Sequence, residues 1–73
     1  MKLIGISRGE ATVTMAEEEV SLLWHAIHEA LNAVRRWEFK TRTGARPENA
    51  EDLMRQLEDI TERIVKHDSQ PKA

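Results

Sequence analysis

Two histidines and a glutamate fall within one and a half helical turns in the segment HAIHEALN, residues 25–32. His25 and His28 are three apart and His25 and Glu29 four apart, so on a helix all three reach one side. Three nitrogen and oxygen donors so placed can hold a zinc ion with an open coordination position. The zinc-protease signature, however, is H-E-x-x-H, and here the glutamate follows the second histidine instead of the first. The plainer account is that both imidazoles border the apolar stripe of a helix, with Glu29 a solvated residue able to hydrogen-bond His25. That account is preferred, and no metal site is assigned.

Nucleophilic and phosphate chemistry have less support. There is no cysteine, and the three glycines, Gly5, Gly9 and Gly44, are too scattered to form a phosphate loop. Ser7, Ser21 and Ser69 have no base beside them in a defined motif, and there is no G-x-S-x-G elbow. A chain of 73 residues also leaves little room for an enclosed cleft. The protein is therefore read as non-catalytic, with no catalytic residue and no cofactor.

The segment from Arg35 to Arg46 is different. Arg35, Arg36, Lys40, Arg42 and Arg46 stand against a single acid, Glu38, and are interleaved with Trp37 and Phe39. Cations around aromatic rings can grip phosphates and stack on bases, or enter an acidic patch on a protein. A structural account is equally open: arginines in the last turn of a helix favour its negative dipole end, Trp37 continues an apolar stripe, and Phe39 plugs the end of the hairpin core. Arg42 and Arg46 lie beyond what the dipole explains, so all five cations are carried forward as candidate partner-binding residues.

These side chains must be positioned by a few short elements. Arg8-Gly9 reads as a two-residue turn, which sets Ile4 opposite Val13 and Ile6 opposite Ala11. Alternation then places Ile4, Ile6, Ala11, Val13 and Met15 on one face of a hairpin, and Thr12 and Thr14 on the other. A two-stranded hairpin needs something over its apolar face, and the helices are the expected cover. Thr14 with Glu17 forms an S/T-x-x-E capping box, so the first helix is predicted to start at Met15 or Ala16. Val20, Leu23, Ile27, Ala30, Val34 and Trp37 recur at steps of three and four, a stripe about 36 Å long at ~1.5 Å per residue.

Gly44 and Pro47 then interrupt the period, and Pro47 suits a first helical position. Ala50, Leu53, Leu57, Ile60 and Ile64 form the stripe of a second helix, braced by the pairs Glu51–Arg55, Asp59–Arg63 and Glu62–Lys66. Two such helices on a short connection lie antiparallel. The predicted fold is α+β, an N-terminal β-hairpin followed by an antiparallel pair of long helices (ββαα). One domain covers residues 1–67, with a frayed polar tail at 68–73.

The first helix carries more apolar surface than one partner helix can cover: Leu22, Trp24, Ala26, Leu31 and Ala33 fall off its stripe. Without disulfides or another staple, a domain this small gains most from assembly. A homodimer is expected, with Leu22, Trp24 and Leu31 as its self-association residues. Charged residues make up 33% of the chain, and no apolar run approaches the ~20 residues of a membrane span. A cytoplasmic location follows by default. A net charge of -2 disfavours a purely electrostatic nucleic-acid binder, although a local patch keeps nucleic acid open as the alternative.

The stretches LLWHAIHEALN and WEFKTRTGARPENAEDLMRQL resemble a group of small bacterial ββαα proteins, some of them regarded as immunity-type proteins that bind and block a partner toxin. In that group a helix ending A-L-N-E leads to an E-F-x-T-R-x-G turn and an acidic second helix. The resemblance spans about Leu22 to Leu57. This chain departs from the pattern at Arg46, where a Ser or Thr cap belongs, and at Ala33, where an acid follows the asparagine. The resemblance implies a protein-binding module of immunity or inhibitor type. It also implies that Phe39, Thr41, Arg42 and Gly44 build a structural turn, with Arg42 a buried organiser.

Overall fold

The computed structural model describes residues 1–69. Strands β1 (Lys2–Ser7) and β2 (Glu10–Thr14) form a two-stranded antiparallel sheet. The turn is at Arg8-Gly9 as the sequence predicts, and Gly9 takes the positive φ, 68°, that lets so short a connection close. Ser7 faces Glu10, Ile6 faces Ala11 and Gly5 faces Thr12; beyond Gly5 the register slips and Leu3, not Ile4, faces Val13. Ile4 is the extra residue of a bulge. Two residues therefore oppose one there, and both Leu3 and Ile4 add to the apolar side of Val13, Ala11 and Ile6.

The helices do not cover this side. Every hairpin residue is exposed, including Leu3, Ile4, Ile6 and Val13, and neither helix packs substantially on the strands. The amino group of Met1 bonds Glu19, a contact between the base of the hairpin and the start of the next helix. The expected core between hairpin and helices does not form, and β2 passes into the helix through Met15 and Ala16 alone.

Helix α1 runs Glu17–Ala33 with Ala16 at its N-cap. The predicted Thr14–Glu17 box does not form, because Thr14 is held in the sheet opposite Lys2. Glu19 does the work instead: its Oε1 accepts the Ala16 backbone N–H at 2.9 Å. Alanine has no side-chain oxygen, so only this glutamate half of the reciprocal box exists. The Met1 amino group, and then the Ala16 N–H, hold the Glu19 carboxyl below its ordinary pKa.

The first helix is shorter than its stripe. Val34 is its extended C-cap (φ -103°, ψ 131°), and a single 3-10 turn, Arg36–Glu38, then leads into the short helix α2, Phe39–Thr43. Seventeen residues give about 26 Å in place of the expected 36 Å. Trp37 and Phe39 are two positions apart, so on one continuous helix they lie about 200° from each other and only one can face the core. The break selects Phe39, which is 3% exposed, and leaves Trp37 74% exposed. Gly44, at φ 80°, closes α2 with its N–H on the Lys40 carbonyl at 2.8 Å.

Helix α3 spans Pro47–Ser69 and so includes two residues read as frayed tail; residues 70–73 of that tail lie outside the described residues. Pro47 takes the first helical position, and the Arg46 carbonyl receives the N–H groups of Asn49 and Ala50 at 3.0 and 3.1 Å. The buried row is Pro47, Ala50, Met54 and Leu57, continued by the half-buried Thr61 and Ile64. Leu53 and Ile60, assigned to the stripe by spacing, are exposed. The two rows share Ala50, Leu57 and Ile64 and differ by one position elsewhere. The seam with α1 selects Met54, whose flexible thioether fits an irregular gap.

Residue order fixes the helix pairing as antiparallel: Trp24 of α1 meets Glu58 of α3, while Leu31, further along α1, lies beside Met54 and Glu51. The fold is α+β with ββαα order and one short helical turn inserted in the connection. The core consists of Val20, Phe39, Ala50, Met54 and Leu57. The envelope measures 51 × 29 × 16 Å, so the helical pair is a single layer open on both faces. Among the described residues no helix is long and apolar enough to cross a membrane.

Candidate functional site

The connection between α1 and α3 gathers the basic segment at one corner. Its five cations are not equivalent. Arg36 reaches across to α3, donating from Nη1 to Glu51 at 3.0 Å and from Nη2 to Glu48 at 3.2 Å. The hydrogen bond and charge of Glu51, joined by the charge of Glu48, push its guanidinium further above its ordinary pKa. Glu51 is thereby taken from its expected partner Arg55, which pairs with Asp52 instead; Asp59–Arg63 and Glu62–Lys66 form as predicted, each at 2.9 Å. Arg42 donates to Glu38 at 3.3 Å and is exposed, so the buried organiser implied by the resemblance is not Arg42. The turn is held instead by the exposed Thr43, whose hydroxyl donates to the Phe39 carbonyl at 2.7 Å and accepts the Ala45 N–H at 3.3 Å.

Arg35, Lys40 and Arg46 are exposed, with no ion pair among the described residues. Trp37, between Arg35 and Lys40 in the chain, is exposed and forms a shallow cleft with Glu38, Thr41 and Arg42. An outward tryptophan among arginines has the composition of an interface hot spot, because the ring offers a large rigid area and guanidinium groups bind carboxylates in two-pronged geometry. Sequence periodicity hides this residue. Trp37 is in phase with the α1 stripe, and no glycine or proline marks the break after Ala33 that turns it out.

The residues assigned to self-association separate as well. The Trp24 indole N–H donates to Glu58 at 2.9 Å across the helix seam. Its ring stacks on His28 with centroids 5.0 Å apart and planes 9° from parallel, and meets His25 edge-on at 4.9 Å. Leu31 is half-buried beside Met54. Of the three, Leu22 alone is largely open, at 70% exposure.

The histidines are occupied by the same seam. His25 Nδ1 donates to the Ser21 carbonyl at 2.7 Å, and His28 Nδ1 lies 3.3 Å from the Asn32 amide nitrogen. Among the described residues no three His, Asp or Glu side chains converge on one metal position. Zinc is accordingly expected to raise the melting temperature no more for the native chain than for the His25→Ala, His28→Ala double variant, since a ligand that binds only the folded state must stabilise it. A zinc-dependent rise lost in the double variant would establish a metal site on this face.

Comparison of the chain with protein-family models, with curated proteins and with solved structures finds no match to any of them.

Proposed function

We propose that this chain is a small non-catalytic protein-binding module of the immunity or inhibitor type, acting at the corner formed by the 3-10 turn, α2 and the start of α3. Trp37 is its anchor, and Arg35, Lys40 and Arg46 face an acidic surface of the partner protein. The observation that carries this reading is the 74% exposure of Trp37 on a corner whose own fold does not need it. Arg36 and Arg42 contribute differently: paired to Glu51, Glu48 and Glu38, they hold the corner in shape. Those carboxylates also weigh against a phosphate groove, which gains by keeping its cations free.

The test is to isolate the partner by co-purification from the host and titrate the purified partner against variants. Trp37→Ala is expected to weaken binding at least tenfold, about 1.4 kcal/mol, with the melting temperature unchanged. Arg35→Glu with Arg46→Glu should slow association, most strongly at low salt. If the Trp37→Ala protein instead binds its partner as tightly as the native chain, this corner is not the interface. If a single-stranded oligonucleotide binds with a steep salt dependence that Trp37→Ala abolishes, the corner belongs to nucleic acid.

A further inference from the structure

The hairpin presents Leu3, Ile4, Ile6 and Val13 to solvent, with Ile6 77% exposed and both strand edges open. An isolated two-stranded hairpin is at best marginally stable, and an uncovered apolar strand invites pairing. On the helical layer, an open groove of about 370 Å³ runs between α1 and α3 and is lined by Ala26, Ile27, Ala30, Phe39, Ala50 and Leu53. Its alanines leave holes between larger neighbours. The hairpin offers branched side chains of the size that fill such holes. The chain thus carries both halves of an apolar contact, but they do not meet within one chain: neither helix packs substantially on the strands.

We infer that a second copy of the chain completes this contact: the apolar face of each hairpin seats in the α1–α3 groove of the other, reciprocally, in a two-fold dimer. The presence of both complementary surfaces on one chain points to a second copy as the occupant, and surface area shows that there is enough for an interface. A compact protein of 8.4 kDa exposes about 4,600 Å². This chain exposes 6297 Å². The excess, about 1,700 Å² per chain, is more than the ~800 Å² each partner gives to a standard interface and lies in the range of obligate homodimers. The radius of gyration agrees: 14.9 Å against about 11 Å for a compact chain of this length. A two-fold axis pairs hairpin with groove twice and leaves neither patch over, so the assembly closes. None of the cations of the basic corner, nor Trp37, takes part, and this inference stands apart from the proposed partner site.

The absence of native cysteine allows a direct test on the full chain. Sedimentation equilibrium of the native protein should give a dimer at micromolar concentration, and Ile6→Asp should raise the dissociation constant at least 100-fold, whereas Ser7→Asp on the opposite face should leave it within about threefold. Because Ile6→Asp can also unfold an obligate dimer, single-cysteine variants provide the second measurement. Ile6→Cys mixed with Ala30→Cys under mild oxidation should form the mixed disulfide at least tenfold faster than either variant forms its own. A native chain that sediments as a monomer at high micromolar concentration overturns the inference. So does cross-linking of Ile6→Cys to itself in preference to Ala30→Cys, which would stack hairpin on hairpin, or an Ile6→Asp protein as dimeric as the native one.

Discussion

Phe39→Ala is expected to remove a large share of the chain's folding stability at 25 °C. Truncating a buried phenylalanine removes its transfer free energy and leaves a cavity, a loss of about 3–5 kcal/mol. A protein of this length has about 4–11 kcal/mol in total at the usual stability per residue. Phe39 is the one aromatic ring in the small buried core of the described residues. It also holds the connection in place, because its burial is what bends the chain between α1 and α3. A urea titration followed by far-ultraviolet circular dichroism should show the midpoint falling by about a third or more. The neighbouring Trp37→Ala substitution removes a larger side chain, yet it should shift that midpoint little, since its ring is already wet. A Phe39→Ala protein that loses less than about 1 kcal/mol would mean that the aromatic does not anchor the bend and that the helix can continue through Trp37.

Trp24→Ala is expected to cost about 2–4 kcal/mol, less than a fully buried tryptophan because the ring is half-buried. Three contacts disappear together: the stacking on His28, the edge contact with His25 and the indole N–H bond to Glu58. Trp24→Phe keeps an aromatic face but no donor, so it should recover part of the loss, with the remainder near the 0.5–1.5 kcal/mol of one hydrogen bond. The same samples should be sedimented. Folded Trp24→Phe is expected to associate as the native chain does, because the ring belongs to the seam within one chain. Native-like stability combined with weakened association would place Trp24 in a contact between chains instead.

Local chemistry made much of this fold legible in advance. The Arg8-Gly9 turn follows from glycine's freedom at positive φ, the α3 start from proline's fixed φ and missing N–H, and the helical identity of both long segments from spacing at three and four. Each of these depends on residues close together in the chain. The pairs Asp59–Arg63 and Glu62–Lys66 are legible for the same reason, since one helical turn brings them together.

The features that form the candidate site depend instead on distant segments, and the tertiary structure decided them. Periodicity treats Trp37 and Phe39 as a stripe residue and its off-stripe neighbour; the location of α3 reverses their roles by offering a buried position to one ring only. The five cations are alike in sequence, but two become structural because Glu48, Glu51 and Glu38 lie within reach of Arg36 and Arg42 after folding. Leu53 and Met54 are equally good members of a helical stripe, and the facing surface of α1 chose between them. The hairpin's apolar alternation likewise states that its face must be covered, but not by what. The tertiary structure decided that it is not covered from within the chain, because which surfaces meet is a property of three-dimensional geometry and not of residue type.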